Sequence, residues 1–313
     1  MSTGNIPAFS VVIPVYNEQE NIPDLYAELV KYLDPSFEML WIDDGSKDES
    51  FKAILDLAER DQRVKGLSFS RNFGHQAALL AGMQLSKGDT IIIMDGDLQH
   101  PPSLLPELIS TYQEGFDLVS AKRIHTENIS PIKKWSSSIF YRFLNFITDT
   151  RIEDNVADFR VFNRKVLESI LLFEERELFL RGIFSWIGFK TATVPFSAPA
   201  RKSGATKYSW SKMAGLGLRG AVSFSFKPLR ISLILGALIS LIAFAFAVFA
   251  IIAYFQGRTV PGWTSTITAI MLLGGCQLMA LGLLGEYIAG LISETKKRPL
   301  FIIDKKINVD HAK

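Results

Sequence analysis

The sequence predicts an α/β protein in which a mostly parallel sheet covered by helices occupies residues 1–210 and two long apolar helices follow. Three observations carry this reading. Short β-branched runs alternate with amphipathic stretches from Phe9 to Gly115, the signature of repeated strand-helix units. Polar residues cluster directly after each apolar run, where ligands of such sheets collect. Ile231 to Phe255 and Trp263 to Gly285 carry no charge, and a bilayer core needs about 20 such residues.

The strands read in order as "FSVVIPVYN", "FEMLWIDDGS", "VKGLSFSRN", "DTIIIMDGD" and "DLVSAKR". Helices between them read as "NIPDLYAELVKYL", "SFKAILDLAERD", "HQAALLAGMQL" and "PPSLLPELISTYQEG". Ser46 and Glu49 stand at capping-box spacing before the second helix, and Pro101 and Pro102 suit the first turn of the fourth. The strand ends present Asn17 and Glu18, then Asp43, Asp44 and Ser46, then Asn72, then Asp95 and Asp97. In "DFRVF", an extended chain puts Asp158 and Arg160 on one face and turns Phe159 and Val161 to the core.

The 313 residues are 48% hydrophobic and 21% charged, which excludes a disordered or fibrous chain. A net charge of +2 gives no footprint for nucleic acid. One cysteine, Cys276, excludes an internal disulfide framework and, with four scattered histidines, argues against structural zinc. The N-terminus has no basic stretch followed by an apolar run, so no cleaved signal peptide is indicated.

Lys212, Arg219, Lys227 and Arg230 precede the first uncharged run, and Lys296, Lys297 and Arg298 follow the second. Only Arg258 lies between them. The positive-inside bias therefore predicts two membrane spans within 231–292, with the N-terminal domain, the tail 293–313 and both termini cytoplasmic. Residues 211–230 read as an interfacial amphipathic segment whose cations meet lipid phosphates, and "SSSIFYRFLNFI" shows similar spacing. Gly275, Gly282 and Gly285 fall near one face of the second span, where small residues allow helices to approach.

Asp95 and Asp97 flank Gly96, so a turn at the glycine can bring two carboxylates together. Such a pair repels unless a cation or proton sits between them, and Mg²⁺ takes one or two carboxylates with substrate phosphates. Simple capping of the following turn by both aspartates is the alternative.

"VVIPVYNEQENI", "IDDGSKDES", "SRNFGHQAALLAG" and "MDGDLQHPP" occur in order, and the chain resembles the family 2 glycosyltransferases of Rossmann-like GT-A fold. "DNVADFRVFNRKV", "RGIFSWIGF" and "RKSGATKYSWSKM" extend the resemblance to the polyisoprenyl-phosphate branch, which includes undecaprenyl-phosphate glucosyltransferases and dolichyl-phosphate mannose synthases. The resemblance assigns Pro14, Tyr16, Asn17, Glu18 and Asn72 to the nucleotide pocket, Asp44 to base recognition, and Asp43 and Ser46 to its support. It implies Mg²⁺ or Mn²⁺ on Asp95 and Asp97, with Gln99 as a third contact. By the same resemblance Asp158 and Asp97 are expected to carry the reaction, while Arg160, Arg201, Ser203, Lys207 and Tyr208 are expected to meet phosphate groups. Thr206 stands where many relatives have serine, which keeps the hydroxyl.

The implied reaction moves a sugar, glucose from UDP-glucose, with inversion onto undecaprenyl phosphate at the cytoplasmic leaflet of the inner membrane. A GDP-mannose or UDP-amino-arabinose donor is the alternative, and a nonenzymatic nucleotide-binding scaffold lies outside the enzyme class. Family resemblance also favours a homotetramer. Gly215, Gly217 and Gly220 spell a dinucleotide fingerprint, but no strand precedes them. His75 and His100 read as cap or pocket-wall residues, Cys276 as a small apolar filler, and Glu286 either as a functional intramembrane charge or as one that reaches the interface from a span end.

Overall fold

The computed structural model describes residues 7–33, 36–125, 156–175, 179–197, 227–256 and 262–309. The chain runs through β1 (Phe9–Val15), α1 (Asn21–Tyr32), β2 (Phe37–Asp43), α2 (Ser50–Ala58), β3 (Val64–Phe69), α3 (His75–Leu85) and β4 (Thr90–Ile93). A 3₁₀ turn (Pro102–Leu104) leads into α4 (Leu105–Gln113), followed by β5 (Leu118–His125), β6 (Val156–Asn163), α5 (Arg164–Leu171), α6 (Leu180–Trp186) and β7 (Thr191–Ser197). Two long helices, α7 (Lys227–Phe255) and α8 (Trp263–Thr295), precede β8 (Ile303–Ile307).

The eight strands form one sheet in the order β7-β5-β6-β4-β1-β2-β3-β8. β1 pairs in parallel with β2 and β4, β2 with β3, and β5 with β7, whereas β6 and β8 run antiparallel to their neighbours. The predicted mostly parallel α/β sheet is therefore present. All seven residues of β2 are buried, as expected of a strand covered on both faces. Its Glu38 accepts from Ser10 Oγ at 2.6 Å and Lys87 N–H at 2.7 Å and pairs with Lys65 Nζ at 2.5 Å. Those partners satisfy the buried charge.

Helix α3 is buried along Ala77–Met83. Its small residues permit that depth, because a Cβ added at Gly82 would stand 2.3 Å from Val12 Cγ1. The close seat fixes the start of α3 beside the carboxyl ends of β1 and β2. Gly82→Val is expected to lower stability by about 1–3 kcal/mol through overpacking, read as a lower thermal midpoint with the fold otherwise retained.

Two local expectations fail. Ser46 does not cap α2: Glu49 holds the cap position without a side-chain cap bond, and Ser46 Oγ instead accepts from Asn17 N–H at 2.9 Å. A bond to the neighbouring loop has displaced the local cap. The stretch assigned to a C-terminal tail contains β8, which lies antiparallel against β3. Phe301 stacks on Phe69 with centroids 4.9 Å apart, and Asn308 Nδ2 donates to Val64 O at 3.0 Å. Asp304, Lys305 and Lys306 are exposed, as suits a charged edge strand that blocks further pairing.

The sheet, its helices and β8 belong to one compact unit, and α7 and α8 to another. In α8, Leu272–Thr295 is long and apolar enough to cross a membrane, while α7 contributes the shorter apolar stretch Ser232–Phe246 among the described residues. Most described side chains of both helices are exposed. The 136–147 stretch, residues 211–226 and the predicted phosphate contacts Arg201, Ser203, Lys207 and Tyr208 lie outside the described residues.

Candidate active site

The loops after β1 and β2 are laced together. Asn17 takes a left-handed φ of 55°, which Asn tolerates better than most residues, and its Oδ1 accepts from Lys47 N–H at 2.9 Å. Glu18 N–H donates to Ser50 Oγ at 2.9 Å, and Glu18 Oε2 accepts from Asn21 Nδ2 at 2.6 Å. Buried Asp43 accepts from Ser46 N–H at 3.0 Å and Ser68 Oγ at 2.8 Å. The structure thus brings Asn17, Glu18, Asp43 and Ser46 together, with Asp43 and Ser46 shaping the loops. Pro14 is buried in β1, Tyr16 is half-buried and Asn72 is exposed beyond β3.

Asp44, assigned by resemblance to base recognition, has partners within the protein. Its carboxylate is buried and accepts from Phe73 N–H at 2.7 Å and Gly74 N–H at 3.0 Å. Burial pushes its pKa up, against the pull of those two N–H groups. The contact ties the β3–α3 loop to the end of β2 and so places His75, the first residue of α3.

The Asp-Gly-Asp turn follows β4. Gly96 is required sterically, since an added Cβ would stand 2.6 Å from Val15 Cγ1. Asp97 Oδ1 accepts from Gln99 N–H at 3.1 Å, so this carboxylate does cap its own turn. Gln99 Oε1 accepts from Arg123 Nη2 at 3.4 Å, an arrangement in which Gln99 faces Arg123. His100 is buried and stacks on Phe159 at 5.2 Å. Its Nδ1 accepts from Asp95 N–H at 3.0 Å, which puts the proton on Nε2, 3.5 Å from Asp95 Oδ2. Asp95 Oδ1 is buried and makes no hydrogen bond.

Asp158 and Arg160 share a face of β6, while Phe159 and Val161 enter the core, as the extended reading expects. Arg181 from α6 grips Asp158 with Nη2 2.8 Å from Oδ2 and Nε 3.1 Å from Oδ1. Arg160 Nη2 lies 4.0 Å from Asp158 Oδ1. His75 Nε2 stands between two carboxylates, 3.5 Å from Asp95 Oδ1 and 3.7 Å from Asp158 Oδ2. Burial alone would raise the Asp158 pKa, but the charges of Arg181 and Arg160 and the bonds from His75 and Arg181 hold it well below the carboxylate range. Desolvation works against protonated His75, yet the bond to Asp158 and the charges of Asp95 and Asp158 leave its pKa raised.

Arg181 is absent from the predicted site, and His75 and His100 are more central than pocket walls. His75 follows β3 at the same carboxyl edge as the predicted residues, a signal available in the sequence. Arg181 opens an otherwise apolar helix far along the chain, and only the fold brings it to Asp158.

Asp95 Oδ1, which makes no hydrogen bond and faces His75 Nε2 at 3.5 Å, and the two carboxylates of the turn suit a hard divalent cation. Among the described residues, no group of three His, Cys, Asp or Glu gathers as a ready metal cage. The chemistry fits a cation shared with a phosphate-bearing substrate. Beside Asp158, a cavity of about 230 Å³ opens among β5, β6, β7 and α6, with Arg160 and Arg181 in its wall.

Known proteins similar to this chain span nearly its whole length. The chain is 42% identical over 303 residues to the "Prophage bactoprenol glucosyl transferase homolog" of Escherichia coli, covering 95% of this chain and 98% of that protein. It is 41% identical over 300 residues to the "Bactoprenol glucosyl transferase" of Shigella phage SfII, covering 95% and 97%. The solved mannosyltransferase PcManGT from Pyrobaculum calidifontis, in complex with GDP-Man and Mn²⁺, aligns with a TM-score of 0.50 at 18% identity, covering 94% of this chain and 87% of that one. That likeness shows a shared fold. Residues 10–171 match Glycosyl transferase family 2, and with such relatives spanning its length the chain belongs to that family.

Proposed function

We propose that this chain is a membrane glucosyltransferase that moves glucose from UDP-glucose, with inversion, onto the phosphate of undecaprenyl phosphate at the cytoplasmic leaflet. The observation that carries the reading is the convergence of Asp95, His75, Asp158 and Arg181 at one sheet edge. Full-length similarity to bactoprenol glucosyl transferases supplies the acceptor and sugar.

Asp95 and Asp97 would hold Mg²⁺ or Mn²⁺, which stabilises negative charge on the departing nucleoside diphosphate. The loops holding Asn17, Glu18 and Ser46 bind the nucleotide. An acceptor phosphate oxygen attacks the anomeric carbon as the bond from that carbon to the diphosphate breaks, and the electron pair leaves with UDP. The acceptor is a phosphate monoester whose second pKa near 6 makes it mainly dianionic at neutral pH. No proton has to be removed from it. Asp158 orients the Arg181 guanidinium through a bidentate contact, and Arg160 adds positive charge beside the acceptor.

Helices α7 and α8 span the bilayer in this reading, with the sheet-bearing unit on the cytoplasmic side. Self-association, a tetramer by family likeness, is proposed through Gly275, Gly282 and Gly285. A Cβ added at each of these glycines meets no atom within 4 Å in the monomer. Replacing all three with leucine is expected to shift the detergent-solubilised protein to a smaller mass by light scattering; an unchanged mass contradicts the interface.

Donor choice is tested by incubating purified full-length protein with undecaprenyl phosphate and labelled UDP-glucose, GDP-mannose or UDP-amino-arabinose. Label from UDP-glucose enters the lipid fraction fastest in this account. Preferential labelling by another donor overturns the sugar assignment.

A further inference from the structure

His75, the first residue of α3, is held from both sides along the chain. The two residues before it give their N–H groups to the buried Asp44 carboxylate, Phe73 at 2.7 Å and Gly74 at 3.0 Å. Gln76, the residue after it, accepts from Leu180 N–H through Oε1 at 3.1 Å, which ties α3 to the helix that carries Arg181. Two elements distant in sequence, the end of β2 and the start of α6, therefore fix one imidazole.

Its Nε2 faces Asp95 Oδ1 at 3.5 Å and Asp158 Oδ2 at 3.7 Å. Both separations are long for an N–H···O bond, which runs from about 2.7 to 3.2 Å, so Nε2–H is shared between the two oxygens and held at full strength by neither. Access differs as well, for the His75 side chain is 40% exposed and that of Asp158 only 7%. Of these two, the imidazole is the group that a substrate can touch.

In the reaction proposed above, Asp95 lies on the side of the leaving diphosphate and Asp158 with Arg181 on the side of the acceptor. A phosphate held against Asp95 by a shared cation stands beside Nε2. Negative charge grows on that phosphate during transfer, and a fixed donor aimed at developing charge lowers the barrier.

We infer that His75 is a further catalytic residue, whose Nε2–H donates a hydrogen bond to the terminal phosphate of the departing nucleoside diphosphate. The inference rests on the proposed function and adds a side chain that stabilises the leaving group. As the bond from the anomeric carbon to the phosphate oxygen breaks, its electron pair passes to that oxygen. The acceptor phosphate supplies the pair for the new bond, and His75 keeps its proton. The charged ring and the neutral Nε2–H tautomer both provide this donor, so the role requires no titration of His75.

UDP and UMP differ by the phosphate in question, so their binding separates the contact from turnover. In calorimetry of the full-length protein with Mn²⁺, His75→Leu is expected to weaken UDP about tenfold and leave UMP within about twofold. In turnover the same variant should lose about a hundredfold in kcat, with the UDP-glucose KM changed less than about threefold, because the bond strengthens only as charge develops. His75→Gln keeps an N–H donor at similar reach and should recover most of both losses. If melting profiles show the leucine variant unfolded, His75→Asn, an amide too short to reach the site, takes its place. Equal changes in UDP and UMP affinity, including none, overturn the inference, as does a fall in kcat that glutamine does not relieve. Failure of the wild type to transfer hexose from UDP-glucose to the lipid instead overturns the proposed function.

Discussion

Asp95→Asn and Asp97→Asn are each expected to lower glucosyl transfer by about a thousandfold or more while leaving the sheet folded. Asp95 projects beyond β4 with a buried oxygen that makes no hydrogen bond and lies 3.5 Å from His75 Nε2, and Asp97 holds the turn that presents it. Both carboxylates lie where negative charge on the leaving diphosphate must be offset, a contribution of several kcal/mol in such sites. Removing divalent cation from the wild type with a chelator should produce the same loss, and adding back Mg²⁺ or Mn²⁺ should restore transfer. The variants should not respond to added metal as the wild type does. Full activity in chelator contradicts the metal role of the turn.

Asp158→Asn should also cost about a hundredfold or more, for a different reason. Arg181 and Arg160 keep the Asp158 carboxyl ionised far below neutrality, which makes it a weak base. A depressed folded-state pKa means that the ion pair contributes stability above the unfolded value near 3.9, lost only as pH falls through the folded value. The Asp158 carboxyl itself stays ionised from about pH 6 to pH 9, the range over which the acceptor completes its second ionisation, while His75 beside it, its pKa raised by the two carboxylates, loses its proton as pH rises. The Asp158→Asn loss is therefore expected to persist at every pH in that range. Recovery toward normal turnover at the alkaline end would show that proton removal was its main task. Arg181→Met should lose a comparable factor, and the double variant little more than either single one, because the two side chains act as a unit.

Much of this architecture is legible from periodicity. β1 to β5 and α1 to α4 emerge because buried parallel strands are continuous apolar runs and their helices are amphipathic. The predicted strands extend past their ends at Asn17, Ser46, Asn72 and Asp97 because those residues turn out of the sheet to build the site. β7 and β8 escape because each exposes much of one face: β7 buries only Val194 and Phe196, and β8 carries Asp304, Lys305 and Lys306 outward. The face of β6 bearing Asp158 and Arg160 follows from simple alternation.

Side-chain partnerships are less legible. The Asp44 carboxylate holds the loop before His75 through Phe73 N–H and Gly74 N–H, a contact that no local pattern announces. Arg181 reaches Asp158 across 23 positions of chain, a contact that depends on how α6 lies against β6. Ser46 shows the converse, since a correct capping-box spacing is overridden by a neighbouring loop with an unsatisfied N–H.

Transfer of hexose to the lipid phosphate is read from the mass of the lipid after purified full-length protein is incubated with UDP-glucose, undecaprenyl phosphate and Mn²⁺. The predicted result is a heavier lipid phosphate carrying one hexosyl residue, formed in step with UDP and absent with Asp95→Asn. Release of UDP with glucose left in the aqueous phase, and no hexosyl lipid under any metal, would contradict it.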